Sequence, residues 1–257
     1  MTAARLDGKT ALVTGATSNI GRAIAIAFGA EGAHVVVAGR NKERGDEAVE
    51  QIRAAGGRAD FVAIDLDGSK KTADALADEA TRLLGGRIDV LVNNAGAISG
   101  ETTTKTEEAT FDLVFAVNVK APFFLTGAIA PAMVAAGGGA VINIGSWVAR
   151  LGIPIGAVYS SSKGALETLT KAWAAEFGPA GVRVNTISPG VIHTPDPADD
   201  ATHPAAVMMN GTPAGAMGAP EDVAQAAVYL ASDEAGFVHG AVIDVDGGRI
   251  GAAVIAK

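Results

Sequence analysis

The sequence predicts an α/β fold, a doubly wound sheet of seven parallel strands with helices on both faces. Short apolar runs rich in Val and Ile alternate with longer stretches of helical periodicity along the chain. Several runs are apolar on both faces, as strands covered by helices on two sides must be. The 257 residues are 49% hydrophobic, and no linker or repeat divides them. One domain covering residues 1–257 is therefore expected.

The elements follow in order along the chain. One helix is expected from Ile20 onward, and Gly32 should end it because glycine tolerates positive φ. Pro131 should kink or end the fourth helical pattern early. The strands are predicted at residues 10–14, 34–38, 60–64, 90–92, 140–144, 182–187 and 241–245, and the remaining helices at 44–54, 71–84, 111–136, 158–177 and 221–231.

The least regular stretch covers residues 193–217 and contains four prolines. Long loops in compact domains are usually functional or disordered. Because this stretch follows a strand end, it is interpreted as a mobile lid over the site, with one short helical turn at residues 205–210. A disordered loop is the alternative.

Composition narrows the classes of function. The net charge is −8 and no run of Lys or Arg occurs, so no nucleic-acid partner is expected. The chain has no Cys, which excludes disulfides and a Cys nucleophile and fits a cytoplasmic location. No uninterrupted apolar run of membrane-spanning length is present, so no membrane partner is expected. His193 and His203 are isolated, and no metal site is expected.

A glycine-containing segment joins the first strand to the first helix. Its small residues permit close approach of the backbone to a pyrophosphate, and the helix N-terminus supplies free N–H groups and partial positive charge. An ordinary tight turn is the alternative, but the strand–loop–helix context favours a nucleotide site in a Rossmann-like fold. The segment reads Thr14-Gly15-Ala16-Thr17-Ser18-Asn19-Ile20-Gly21.

The second strand ends at Gly39, Arg40 and Asn41. In a dinucleotide fold this end lies beside the adenosine ribose, where an acidic residue would bind both hydroxyls and repel a 2′-phosphate. Arg40 is instead suited to bind a phosphate. We therefore expect NADP(H) to be favoured over NAD(H). The alternative is that Arg40 is a solvated loop residue.

Three residues are candidates for proton chemistry. Tyr159 and Lys163 lie four residues apart in a helical pattern and share one face. A nearby ammonium should lower the Tyr159 pKa from about 10 toward neutrality and make it a general acid and base. Ser146 follows a strand end, where its hydroxyl could bind a substrate oxygen. A cap or turn serine is the alternative.

Together these motifs resemble the short-chain dehydrogenase/reductase (SDR) family over nearly the whole chain. The family usually has Gly where this chain has Asn19, and Asn tolerates positive φ well enough to keep the turn. The matching segments are Thr14-Gly15-x-x-x-Asn19-Ile20-Gly21, Asp65-Leu66, Asn93-Asn94-Ala95-Gly96, Asn118 between two valines, Ser146 with Tyr159-x-x-x-Lys163, Ser188-Pro189-Gly190-x-Ile192-x-Thr194, the segment 217–224, and Asp246-Gly247-Gly248.

The resemblance implies hydride transfer between a nicotinamide dinucleotide and the carbonyl or hydroxyl carbon of a small substrate, a ketone, secondary alcohol or 3-oxoacyl thioester. It implies that Ser146 binds the substrate oxygen, Tyr159 exchanges its proton, Lys163 binds the nicotinamide ribose and Asn118 positions a water. A homo-oligomer, tetramer or dimer, is also implied. The implied cofactor-binding residues are Gly15, Thr17, Ser18, Asn19, Ile20, Gly21, Arg40, Asn41, Asp65, Leu66, Asn94, Ala95, Gly96, Tyr159, Lys163, Pro189, Gly190, Ile192 and Thr194.

Two other functions remain open at this point. One is a cofactor-binding regulatory protein that keeps the fold without turnover, and the other is an enoyl reductase or epimerase. The four intact residues Asn118, Ser146, Tyr159 and Lys163 favour an enzyme. The spacing of Ser146 and Tyr159 and the short chain favour carbonyl chemistry.

Overall fold

A computed structural model describes residues 4–193 and 204–253. Seven strands form one parallel sheet in the order β3-β2-β1-β4-β5-β6-β7, which confirms the predicted fold class. The strand order reverses between β1 and β4, which creates the crevice where ligands of such sheets bind. The strands are β1 (Thr10–Thr14), β2 (His34–Gly39), β3 (Arg58–Ala63), β4 (Val90–Asn93), β5 (Gly139–Ile144), β6 (Val182–Pro189) and β7 (Val242–Val245).

Helices cover both faces of the sheet. One hydrophobic cluster joins buried residues of α1, α2 and α7 to one face, and a second joins residues of α3, α5 and α6 to the other. Gly32 has φ +90° just after α1 and ends it as expected. The helices are α1 (Asn19–Ala30), α2 (Lys42–Ala54), α3 (Lys70–Leu83), α4 (Glu108–Phe115), α5 (Ala121–Ala135), α6 (Ala157–Phe177) and α7 (Pro220–Ala231).

The helix predicted at 111–136 differs from expectation in two ways. It is interrupted by one turn of π-helix, Ala116–Lys120, which separates α4 from α5 and which periodicity could not reveal. Pro131 does not end the helix early, because α5 continues to Ala135, and a kink at Pro131 remains a prediction. Pro131 is exposed and lies just before the last turn of α5, so its missing N–H removes a single hydrogen bond near the helix end.

The continuous helical stretch Glu108–Ala135 is long and apolar enough to cross a membrane by length and composition alone, with a mean hydropathy of 1.7. However, 44% of its apolar window is buried inside the molecule, against the sheet and neighbouring helices. A core helix of a globular domain passes the same test.

A buried polar chain links the carboxyl halves of three strands. The Asn93 Nδ2 donates to Asn143 Oδ1 at 2.9 Å, and the Asn143 Nδ2 donates to Thr170 Oγ1 at 2.8 Å. Thr170 in turn shares a hydrogen bond of 2.7 Å with Thr186. These buried hydrogen bonds therefore fix β4, β5 and β6 to each other and to α6, next to the strand ends that carry the candidate site.

The stretch predicted as a lid lies partly outside the described residues. Its second half contains a 3-10 helix, Pro204–Met209, in agreement with the expected helical turn at 205–210. Met209 and Thr212 are buried, so this half is packed against the domain. A bridge between Ile192 and Gly218 joins the two ends of the stretch. Mobility of the lid remains a prediction.

We expect Asn143→Ala to lower the free energy of unfolding by about 3 kcal/mol, because it leaves the buried Asn93 amide and Thr170 hydroxyl short of a partner. Urea denaturation measures the change. Thr168→Ala, which removes an exposed hydroxyl from the same helix α6, is the control and should change it by less than about 0.5 kcal/mol. Equal losses in the two variants would contradict a structural role for the polar chain.

Candidate active site

The loop between β1 and α1 has the backbone that an anion site needs. Asn19 has φ +49°, the only positive value among the described non-glycine residues, as its place in the motif predicted. A Cβ added at Gly21 would lie 2.4 Å from the Gly15 carbonyl oxygen, so only glycine permits this turn. No side chain caps α1 at Ser18, whereas Asn41 caps α2. The side chain of Ser18 therefore does not occupy the N-terminal N–H groups of α1.

Asn94 braces this loop from the end of β4. Its Nδ2 donates to the carbonyl oxygens of Thr14 and Gly15, at 2.8 and 3.1 Å. The N–H groups of Asn94 and Ala95 both donate to the Thr14 hydroxyl. The side chain of Asn94 thus holds the phosphate loop in shape.

Arg40 lies at the end of β2 with its side chain 79% exposed. Its guanidinium is 3.8 Å from the Asp65 carboxylate, an open surface pair, and Leu66 beside Asp65 is buried. The Asn41 side chain accepts from the Arg44 N–H at 2.9 Å and is therefore engaged as the cap of α2. Of the residues predicted here, Arg40 has the side chain that is most available to a phosphate.

Ser146, Tyr159 and Lys163 converge at the carboxyl end of β5, as the sequence predicted. Ser146 follows β5 by two residues, and Tyr159 and Lys163 lie in the first two turns of α6. Ser146 and Lys163 are buried and Tyr159 is partly exposed. The Lys163 Nζ donates to the Ile144 carbonyl at 2.8 Å and lies 5.7 Å from the Tyr159 ring centroid.

The predicted lowering of the Tyr159 pKa is wrong for this structure. Burial raises the pKa of Tyr159 above its usual value of 10.0, and the hydrogen bond to Ser146 offsets part of this rise. Burial also lowers the pKa of Lys163 to about 8, because the ammonium loses hydration. Since the ammonium is directed at the Ile144 carbonyl, the sequence argument overestimated its effect on the phenol.

Asn118 lies in the π-helical turn and is fully buried. Its side chain pairs with the backbone of Ala97, accepting from the N–H at 2.7 Å and donating to the carbonyl at 2.9 Å. The second Nδ2 hydrogen is donated to Ser162, which sits between Tyr159 and Lys163 in α6. Asn118 therefore links the loop after β4 to the helix that carries the proton donor. Its proposed water remains a prediction.

The segment after β6 is the last of the predicted cofactor-binding segments. A Cβ at Gly190 would lie 2.6 Å from the Asp246 Cα, so glycine is required for β6 and β7 to end side by side. Pro189 ends β6, and Ile192 bridges to Gly218. Thr194, predicted to bind the cofactor, lies outside the described residues.

Two charged residues beside the site were not predicted. The Arg150 guanidinium lies 3.3 Å from the carboxylate of Glu167, which is buried in α6 four residues after Lys163. The helical spacing of Tyr159, Lys163 and Glu167 is a signal that could have identified Glu167. No sequence signal indicated Arg150, because its partners lie far along the chain.

The residues present fit a nicotinamide dinucleotide. The uncapped α1 and its glycine turn offer a pyrophosphate cradle, and the loop of Asn94 to Gly96 leads from it to Lys163. A Cβ at Gly96 would lie 3.7 Å from the Lys163 Nζ. In the described part of the chain, no group of three or more His, Cys, Asp or Glu residues could hold a metal ion.

The comparisons with known proteins agree with this geometry. A family model described as enoyl-(acyl carrier protein) reductase matches residues 15–249. The chain is 35% identical to the 3-oxoacyl-[acyl-carrier-protein] reductase of Thermotoga maritima, covering 96% of this chain and 99% of the relative. It is 36% identical to the cyclopentanol dehydrogenase of a Comamonas species, covering 95% and 98%.

A solved structure extends the likeness to a bound cofactor. The structure of 7α-hydroxysteroid dehydrogenase, complexed with NADH and 7-oxoglycochenodeoxycholic acid, superposes with a TM-score of 0.90 at 36% identity and covers 99% of this chain and 98% of its own. The names of these relatives describe reactions of alcohols and carbonyls, so the predicted hydride transfer on ketone or alcohol substrates is confirmed. The chain belongs to the short-chain dehydrogenase/reductase family and is an NAD(P)-dependent oxidoreductase of ketones and alcohols.

Proposed function

We propose that this enzyme interconverts a secondary alcohol and a ketone with an apolar body, uses NADP(H) in preference to NAD(H), and works as a homo-oligomer in the cytoplasm. The observation that carries the reaction is the convergence of Ser146, Tyr159 and Lys163 at the end of β5. The bound dinucleotide supplies or accepts the hydride.

The three side chains divide the work at the substrate oxygen. Ser146, buried and beside the Tyr159 hydroxyl, donates a hydrogen bond that orients this oxygen. Tyr159 gives the oxygen a proton during reduction and removes it during oxidation. Lys163, with its pKa near 8, is largely cationic at neutral pH and binds the ribose hydroxyls. Asn118 holds the loop that faces Lys163.

The surroundings of Tyr159 favour an apolar substrate. Tyr159 packs against a buried cluster that contains Trp147, Val148, Val191 and Met209. Leu151, Ile153 and Met208 also pack against this cluster. A sugar or polyol would leave hydroxyl groups without partners against these side chains, whereas a cyclic or long-chain ketone would bury apolar surface.

The preference for NADP(H) rests on Arg40. Gly39 and Arg40 stand where an acidic residue would repel a 2′-phosphate, and within the described part of the chain the exposed guanidinium is held by a 3.8 Å contact with Asp65. A 2′-phosphate can replace that contact with charge-assisted hydrogen bonds.

The proposal of an oligomer rests on the stretch Glu108–Ala135. Phe111, Leu113 and Phe123 are 45%, 56% and 48% exposed on it, and the first of these stacks on Phe115. Large apolar side chains grouped on one surface element mark an interface, here with a second copy of the chain.

We expect Tyr159→Phe to lower kcat by at least about 100-fold while the Kd for NADPH stays within about twofold, because the phenol is the proton donor and acceptor at the substrate oxygen. Absorbance of the reduced cofactor follows turnover with cyclopentanol, a hydroxysteroid, a 3-oxoacyl thioester and a 2-enoyl thioester. Retention of more than about a tenth of the rate would contradict the role of Tyr159, and turnover of the enoyl substrate alone would contradict carbonyl chemistry.

We expect Arg40→Gln to lower kcat/KM for NADP(H) by about tenfold or more and leave that for NAD(H) nearly unchanged, since it removes the charge that faces the 2′-phosphate. Arg58→Gln is the control, because it removes the same charge at the first residue of β3, on the sheet edge opposite to Arg40. Gly39→Asp is a less clean test, because its Cβ would lie 2.7 Å from the Thr17 methyl carbon. A wild-type preference for NAD(H) would refute the proposal.

We expect the wild-type chain to sediment as a tetramer or dimer at micromolar concentration, and Leu113→Glu to reduce its mass, because a carboxylate would be desolvated at the interface. Analytical ultracentrifugation measures both. Val207→Glu, at an apolar side chain that is 65% exposed elsewhere, should leave the mass unchanged. A monomeric wild type would show that the exposed phenylalanines do not mediate self-association.

A further inference from the structure

Glu167 continues the stripe of α6 that carries the proton chemistry. Tyr159, Lys163 and Glu167 are spaced four residues apart, so they lie one above another on the same helix face. Glu167 is 7% exposed, and burial raises the pKa of its carboxyl while Arg150 lowers it. A buried carboxylate is costly unless a cation compensates it. The proton chemistry described above does not use this residue.

Arg150 ends the turn that begins at Ser146. The Ser146 carbonyl accepts from the Ala149 N–H at 3.0 Å, and the Trp147 carbonyl accepts from the Arg150 N–H at 3.2 Å. Five consecutive residues therefore form one short unit, with the oxygen-binding hydroxyl at its first position and a guanidinium at its last.

The guanidinium binds groups on three other elements. It contacts Glu167 of α6 at 3.3 Å, Ser188 of β6 at 3.0 Å and the carboxylate of Asp244 in β7. Of these three partners, Glu167 is the one on the helix of Tyr159. The Arg150–Glu167 contact is thus a charged side-chain link between the Ser146 turn and α6, in addition to the packing of Tyr159 against Trp147 and Val148.

The backbone beside Ser146 also faces Glu167. A Cβ added at Gly145 would lie 3.7 Å from the Glu167 Oε1 and 2.7 Å from the Thr186 methyl carbon. One helical turn earlier, Lys163 donates to the Ile144 carbonyl. Two side chains of α6 therefore lie along the segment that runs into Ser146: Lys163 holds it at residue 144, and Glu167 lies beside residue 145 and contacts Arg150.

We propose that Arg150 and Glu167 are positioning residues that hold the Ser146 turn against α6, so that Ser146 and Tyr159 reach the same substrate oxygen. This inference rests on the proposed roles of Ser146 and Tyr159. The alternative is that Arg150 only anchors the turn to the sheet through Asp244, in which case Glu167 adds stability and nothing else.

The two tyrosines of the chain, Tyr159 and Tyr229, allow a direct test. In a Tyr229→Phe background, the near-ultraviolet absorbance of phenolate against pH reports the pKa of Tyr159 alone. Ser146→Ala should raise this pKa, because the hydrogen bond from Ser146 lowers it. Glu167→Gln should also raise the Tyr159 pKa, because release of the Ser146 turn weakens that hydrogen bond.

The sign of the shift separates positioning from charge. Among the described residues, the charged groups on the helix of Tyr159 that lie along the same stripe are Lys163 and, one turn farther, Glu167 with its partner Arg150. Removing the Glu167 charge alone favours the phenolate and lowers the Tyr159 pKa. An unchanged or lowered pKa in Glu167→Gln would therefore overturn the proposal. Circular dichroism at each pH confirms that the variants stay folded.

Turnover provides the second measurement, with the alcohol of the panel that wild type oxidises fastest. Glu167→Gln should lower kcat about tenfold and leave the Kd for NADPH within about twofold, since small misplacements of reacting groups reduce the rate strongly. Asp244→Asn, which neutralises the other carboxylate on the same guanidinium, is the matched control and should stay within about twofold of wild type. Equal effects of the two variants would favour anchoring to the sheet.

Arg150→Lys keeps the inference testable if Glu167→Gln does not fold. An ammonium cannot reach Glu167 and Asp244 with the same fork of donors, so kcat should fall and the Tyr159 pKa should rise. Wild-type values for both would overturn the proposal. The proposed function fails separately, if Tyr159→Phe retains turnover. If Tyr159→Phe is inactive while Glu167→Gln is fully active, only the positioning role is wrong.

Discussion

The candidate site depends on the alignment of strand ends in the parallel sheet. The phosphate loop, the loop of Asn94 to Gly96, Ser146 and the Pro189–Gly190 segment leave β1, β4, β5 and β6 at the same edge. The buried hydrogen bonds from Asn93 to Thr186 hold three of these strands in register. Because a polar group buried without its partner is destabilising, this register is well determined, and so is the spacing of the functional loops.

Close backbone approach is the second requirement at this edge. Gly21 passes the Gly15 carbonyl, and Gly190 passes Asp246, at distances that exclude a side chain. Asn19 adopts a left-handed conformation that glycine usually takes. Asn94 then ties the loop by bonds to Thr14 and Gly15, so a segment with little core of its own keeps one shape.

Electrostatics at the reacting end is governed by desolvation. Burial raises the pKa of Tyr159 and lowers that of Lys163 to about 8, so both effects favour the neutral forms. Hydrogen bonds oppose this effect of burial. The bond from Ser146 lowers the Tyr159 pKa, and the Ile144 carbonyl accepts a hydrogen bond from the Lys163 ammonium. The reactivity of the phenol is therefore sensitive to where Ser146 stands, which gives the contacts of Arg150 and Glu167 a chemical consequence.

The sequence by itself determined the seven strands, the helices that cover them and the residues Ser146, Tyr159 and Lys163, because periodicity and local motifs are properties of neighbouring residues. The π-helical turn at Asn118, the continuation of α5 through Pro131 and the direction of the Tyr159 pKa were decided by tertiary structure. Burial and hydrogen-bond partners depend on segments far apart in the chain. For the same reason Arg150, whose partners Ser188 and Asp244 lie 38 and 94 residues away, carried no local signal.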